Sequence, residues 1–300
     1  MKSLFLVLCH RLTPALEYLI SCLDNQRDCT VVIHVDRKSC ILPFESLVGY
    51  NTFLVDEREE VNWGEFSQVR STLRTLSWIE EKGIEFDYVS VMSGDDVLVQ
   101  SADSFRDFLS RNKGLEFIGV SKSDGIYENP SDRVDYRYPR AFFKKSPSFL
   151  DRFKKLSFRI ALKMGLFKNP YSKTLPRLYK GSSWFTISKD AVQYILYTVE
   201  NNENLLKAFE QSYCADEVFF QTLLVNSKFK RRINCISQHS IDDNKASLRY
   251  IDWSSGPEFP KILSVNDICY VATREGLFFA RKVDSNISVR ELKSCGIEDG

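Results

Sequence analysis

The sequence predicts an α/β protein built on a mainly parallel sheet with helices on both faces. Three observations carry that expectation: short apolar runs free of charge recur, amphipathic segments with apolar residues three and four apart separate them, and the two kinds alternate. Unbroken apolar strands are what a sheet covered on both faces requires.

The first strand is expected at residues 4–9. A single lysine precedes it, but the apolar stretch is short and no small-residue cleavage site follows, so the run is expected to be a buried strand ahead of a signal peptide. Helical spacing follows at 14–23, then strands at 30–35 and 52–55. The helix at 66–82 shows the pattern best, with Phe66, Val69, Leu73, Leu76 and Ile79 on one stripe. A strand at 88–92, a helix at 104–111 and a strand at 117–120 complete the first half. After Gly125 the pattern breaks up, and a basic stretch spans residues 144–180, including Lys144, Lys145, Arg152, Lys154, Lys155, Arg159 and Lys163. Two readings of it stand: a solvated helix face with a loop, or a surface for an anionic or lipid-linked acceptor. Regular structure returns with a strand at 184–187, helices at 190–199 and 216–227, and strands at 248–253 and 277–283. With no internal repeat or low-complexity linker, residues 1–300 are expected to form one domain.

Composition sets further bounds. The 300 residues are 43% hydrophobic and carry 41 Lys plus Arg against 40 Asp plus Glu, a net charge of +1. No global field draws such a chain to nucleic acid, so attraction to an anionic partner must be local. The longest apolar runs fall far short of the roughly 20 residues that span a bilayer, so no transmembrane anchor is expected. The eight cysteines form no Cys-x-x-Cys pair and no zinc spacing. Several lie in apolar runs, where a reduced thiol packs as a small hydrophobe, so free buried thiols in a reducing cytoplasm are expected ahead of the alternative, disulfides.

Ligands of open parallel sheets bind beyond the carboxyl ends of the strands. The first strand runs into Cys9-His10-Arg11-Leu12-Thr13-Pro14, which lacks a Gly-x-Gly-x-x-Gly turn, and no phosphate-binding Gly-rich loop ending in Lys-Ser or Lys-Thr occurs elsewhere. Both absences argue against a dinucleotide dehydrogenase and a phosphate-loop NTPase. The second strand ends in His34-Val35-Asp36 and the fourth leads into Ser93-Gly94-Asp95-Asp96. Carboxylates there suit a ribose, a base or sugar hydroxyls, although Asp also favours turns for its own sake. No Asp-x-Asp triplet occurs, and three scattered histidines suggest no protein metal site. Farther on, Asp216-Glu217 opens an apolar segment, where two acids also suit the positive end of a helix. Arg281 and Lys282 adjoin within an apolar strand; alternation sends them to opposite faces, so at least one faces the interior or a cleft and needs an anionic partner.

These pieces occur in a fixed order: His34-Val35-Asp36, Val61-Asn62-Trp63-Gly64, Asp87-Tyr88 with Ser93-Gly94-Asp95-Asp96, Lys180-Gly181-Ser182-Ser183-Trp184-Phe185, Asp216-Glu217-Val218-Phe219-Phe220, Leu248-Arg249-Tyr250-Ile251-Asp252-Trp253 and Leu277-Phe278-Phe279-Ala280-Arg281-Lys282. The series resembles the core-2/I-branching N-acetylglucosaminyltransferases and peptide O-xylosyltransferases over roughly residues 3–284. Each motif is weak alone; seven in order are specific. The resemblance implies a GT-A type fold and an inverting, metal-independent transfer from a UDP-sugar donor to an acceptor hydroxyl, with no cofactor. It implies residues 1–124 as the nucleotide-binding half and 125–300 as the acceptor and catalytic half. It assigns Glu217 as general base and Arg281 and Lys282 to the donor diphosphate, with Lys261 the nearest match to a further phosphate-binding arginine. His34, Asp36, Asp95, Asp96, Trp63, Ser183 and Trp184 are the matching candidates for nucleotide or sugar contacts; either tryptophan could equally pack in the core. Two departures matter. Val97 stands where the family turn often has proline, and the chain starts directly at its first strand, which looks like a bacterial, cytoplasmic member.

The resulting expectation is transfer of GlcNAc, or next xylose, onto a glycan or lipid-linked saccharide of a cell-surface polysaccharide, with residues 144–180 touching an anionic membrane. A non-catalytic sugar-nucleotide or glycan binder on the same fold is the rival reading. A nucleotidyltransferase is disfavoured because it needs a Gly-rich phosphate loop and acidic metal ligands.

Overall fold

A computed structural model of the protein describes residues 1–23, 26–143, 148–239 and 242–295. Its ten strands among these residues are β1 (Ser3–Cys9), β2 (Cys29–Val35), β3 (Thr52–Leu54), β4 (Tyr88–Ser93), β5 (Val97–Leu98), β6 (Lys122–Ser123), β7 (Ile126–Tyr127), β8 (Phe185–Ser188), β9 (Arg249–Ile251) and β10 (Phe279–Arg281). The helices that matter for packing are α1 (Pro14–Leu23), α2 (Ser67–Glu81), α3 (Ala102–Arg111), α4 (Phe149–Lys163), α5 (Lys189–Glu200), α6 (Phe219–Val225), α7 (Val265–Ala272) and α8 (Val289–Lys293).

The main sheet has the order β3-β2-β1-β4-β8. Its first four strands run parallel, and β8 joins antiparallel at the edge. Period-two alternation sorts β1 between two cores. Leu4 and Leu6 pack on one face with α2, α5 and α6, while Phe5 and Val7 pack on the other with α1 and α3. A second sheet, β5-β10-β9, carries a third core under α7 and α8.

Arg249 on β9 joins the two sheets. It is fully buried, and its Nη2 donates to the carbonyls of Val91 (2.9 Å) and Phe185 (3.1 Å) while the guanidinium lies 4.7 Å from the Phe279 ring. Burial pulls its pKa down to about 9. It thereby fixes β4 and β8 against β10, the strand that ends in Arg281.

Four expectations are corrected. Within residues 117–120 only Phe117 makes an isolated bridge, to Thr186, and no strand forms. Gly119 is wedged between other backbones: a Cβ there would meet the Asp243 oxygen at 2.0 Å, and one on Gly181 would meet the Gly119 oxygen at 1.9 Å. Such close approach leaves no room for a ladder. The helix expected at 216–227 starts instead as a 3₁₀ turn, Ala215–Glu217, before α6. Glu217 therefore lies outside the α-helix, two residues before its first residue. Arg281 is the last residue of β10, so strand alternation does not extend to Lys282.

The fourth correction concerns the cysteines. Cys269 on α7 and Cys295 beyond α8 form a disulfide, with Cα atoms 4.7 Å apart. The spacing of single cysteines cannot reveal a pair made by packing two helices. Cys9, Cys29 and Cys214 are the buried thiols expected, and burial pushes them up to about 12, 11 and 12. No helix among the described residues is long and apolar enough to cross a membrane. Within the basic segment, Lys144 and Lys145 lie outside the described residues.

Candidate active site

The carboxyl ends of β1, β2 and β4 open into one cleft of about 520 Å³, closed on its far side by the end of β10. Gly94 lets the first of these turns meet the third: a Cβ on it would lie 2.8 Å from Cys9 Cβ. Among the sequence-derived candidates, His34, Asp36, Trp63, Asp95, Trp184, Arg281 and Lys282 line the cleft.

Its floor is a network of cations and carboxylates. Arg281 Nη1 reaches Asp96 Oδ1 at 2.5 Å and also bonds Ser93 Oγ. Asp96 is almost fully buried and is held from below by Ser93, through its backbone N–H (2.9 Å) and its hydroxyl (2.8 Å). Lys282 lies 3.6 Å from Asp95, which also pairs with Arg11 at 3.0 Å. Lys38 lies 3.2 Å from Asp36 and donates to Asn62 Oδ1 at 3.0 Å. Asp36 accepts the Lys38 backbone N–H at 2.9 Å. Arg11, Lys38, Arg281 and Lys282 thus face Asp36, Asp95 and Asp96, an excess of one positive charge at a partly exposed site. That balance suits an anion with several oxygens, which can share each cation with its resident carboxylate.

The walls are aromatic. The Arg281 guanidinium sits 4.7 Å from the Trp184 ring, so the apolar wall and the cation act as a unit. Trp63 is 45% exposed and meets Tyr213 edge-on at 6.1 Å, which settles it as a cleft residue and not a core one. His34 is buried, and its Nε2 accepts the Glu59 N–H at 2.8 Å. Burial pulls its pKa down to about 4, so the imidazole is neutral at neutral pH.

Glu217 is not among the lining residues; it stands beside the cleft. Its Oε2 takes a 2.6 Å bond from Arg133 Nη1, and its side chain is 34% exposed. Cys214, with φ of +50°, turns the chain into this segment, and its N–H donates to the Gly64 carbonyl next to Trp63. Asp216, adjacent, accepts from Ser183 Oγ at 2.7 Å and from Gln68 Nε2 at 3.3 Å, and Gln68 lines the cleft. Ser183 therefore acts on Asp216 and not on the cleft. Burial, and then the Glu217 charge, push the Asp216 carboxyl up to about 6. Lys261 is not brought to the cleft lining; its Nζ bonds Asp267 at 2.8 Å. Among the described residues, no three of His, Cys, Asp or Glu cluster as metal ligands would.

Sequence reasoning missed Arg11, Lys38, Gln68 and Arg133. The first two follow strand ends, and inspection of every charge after a strand could have found them. Gln68 comes from α2 and Arg133 from a short helix, Ser131–Val134, where no local pattern marks them.

The family model described as Core-2/I-Branching enzyme matches residues 5–274. The chain is 22% identical to the beta-glucuronosyltransferase GlcAT14A of Arabidopsis thaliana, covering 84% of this chain and 54% of that protein. It is 25% identical to the xylosyltransferase oxt of Drosophila melanogaster (85% and 28% covered) and 25% identical to xylosyltransferase 2 of Homo sapiens (87% and 29% covered). The chain thus spans about half the length of the plant protein and under a third of the animal ones. The mostly parallel sheet flanked by helices is consistent with a GT-A-like glycosyltransferase fold. With the family model matched over nearly its whole length, the chain belongs to the Core-2/I-branching enzyme family.

Proposed function

We propose that this protein is an inverting, metal-independent glycosyltransferase that moves a sugar from a UDP donor to an acceptor hydroxyl. One observation carries the reading: Arg281, Lys282 and Arg11 converge at the strand ends beside the Trp184 ring, an anion site with an apolar wall. On this reading Arg281 and Lys282 neutralise charge growing on the departing diphosphate, the task a metal performs elsewhere. Glu217 accepts the acceptor hydroxyl's proton as that oxygen attacks the anomeric carbon from the face opposite UDP, a contribution of about 10²–10⁴-fold. Arg133 orients that carboxylate through its 2.6 Å bond.

GlcNAc is the first donor sugar to test and xylose the second. The relatives' names support xylose and add glucuronic acid. The proposed acceptor is a glycan or lipid-linked saccharide of a cell-surface polysaccharide, met at an anionic membrane through residues 144–180, with no nucleic-acid partner. This reading places the enzyme at the cytoplasmic face of that membrane. The Cys269–Cys295 disulfide is the observation that runs against the placement, since such bonds are rare in reducing compartments. The direct test is a mass-spectrometric screen of UDP-sugars for slow donor hydrolysis. Release of UDP from one sugar nucleotide is expected, and hydrolysis of none, with no UDP binding, refutes the reading.

A further inference from the structure

Helix α4 is unusual among the surface helices in what it leaves to solvent. It starts at a capping box, in which Ser148 Oγ accepts the Asp151 N–H and Asp151 accepts the Ser148 N–H. One face is anchored to the body. Phe158 is buried against the rings of Tyr138 (5.5 Å), Phe142 (5.7 Å) and Phe167 (5.3 Å), and Asp151 is buried on the same side.

The opposite face is apolar and uncovered. Phe149, Phe153, Leu156, Ile160 and Met164 follow one another at spacings of four, three, four and four, which places them on one stripe. Their exposures are 85%, 66%, 57%, 54% and 72%. Arg152, Lys154 and Arg159 flank the stripe and are exposed, whereas the helix's one acid, Asp151, is buried. Two copies stacked stripe to stripe would therefore oppose like charges, while an anionic lipid surface complements both the stripe and its flanks.

We propose that α4 docks in the plane of an anionic lipid bilayer, with Phe149, Phe153, Leu156, Ile160 and Met164 inserted among the acyl chains and the flanking cations at the headgroups. The proposal rests on the membrane contact given above and specifies its mode: insertion of an apolar stripe, and not charge attraction alone. Phe158 and Phe142 lead through ring contacts to Tyr213 (Phe142–Tyr213, 5.3 Å), and Tyr213 touches Trp63 in the cleft wall, so the anchored face of α4 is joined to the cleft by three ring contacts.

The test is flotation of the full chain with vesicles of phosphatidylcholine, with and without phosphatidylglycerol. Wild type is expected to bind the phosphatidylglycerol vesicles. The triple variant Phe149→Ser, Phe153→Ser, Leu156→Ser is expected to bind about tenfold or more weakly, with an unchanged circular-dichroism spectrum and thermal midpoint, because those side chains are exposed. In a Phe153→Trp variant, vesicle binding should add a blue-shifted tryptophan component. A triple variant that binds as wild type does, or a Phe153→Trp variant whose emission vesicles leave unchanged, overturns insertion. If Arg152→Glu, Lys154→Glu, Arg159→Glu then still abolishes binding, the contact is electrostatic and only the insertion falls. If wild type binds no vesicle, both fall, and a dimer that the serine variant dissociates then assigns the stripe to a second copy.

Discussion

Replacing Arg281 by alanine separates two roles that the structure superimposes on one side chain. Arg281 pairs with Asp96, whose side chain is only 1% exposed, and it faces the cleft beside Trp184. Removing one member of a buried ion pair typically costs about 3–5 kcal/mol. Asp96 keeps two bonds from Ser93, so the expected loss for Arg281→Ala is nearer about 2–4 kcal/mol. UDP binding should also weaken, because a charge-assisted hydrogen bond contributes about 1.5–3 kcal/mol, or roughly 10- to 150-fold in Kd. Adding Asp96→Asn resolves the two effects. A neutral amide needs no counter-charge, so the double variant should regain most of the lost stability while its UDP affinity stays low. Urea unfolding measures the first quantity and calorimetric titration with UDP the second. A double variant that binds UDP as tightly as wild type would show that Arg281 is only the counter-ion of Asp96, and would refute its place in the donor site.

Glu217→Gln keeps the shape and an acceptor for Arg133 but cannot take a proton, so turnover should fall by roughly 10² or more with UDP affinity little changed; near wild-type turnover removes Glu217 from the mechanism. Activity should survive excess EDTA, and a loss that manganese restores would overturn metal independence. His34 gives a pH prediction. Its folded pKa, about 4, lies below the unfolded value of 6.5, so the unfolded chain binds the proton first and stability falls as pH drops through that window. The loss at pH 5 comes to about 2 kcal/mol and levels off near 3 kcal/mol. His34→Gln keeps an acceptor for the Glu59 N–H without titrating, so urea unfolding should show a shallower acid-side decline in that variant; equal slopes would overturn the assignment.

What the sequence determined by itself was local or ordered. Two-residue alternation in β1 already sends Leu4 and Leu6 to one core and Phe5 and Val7 to the other. The strand-end positions of Asp36 and Asp95, and the motif order that marks the family, need no coordinates. Partnership did depend on them. Arg281 meets Asp96 across 185 residues, and Arg133 meets Glu217 across 84. Neither pair leaves a trace in local spacing. The same holds for Cys269 and Cys295, brought together by the packing of two helices. For α4 the spacing shows a stripe, but only the packing of Phe158 shows that the other face is the anchored one. Periodicity is a property of one segment, whereas burial and pairing depend on what the rest of the chain lays against it. A hydrophobic stripe therefore reads alike in sequence whether it meets a core or water.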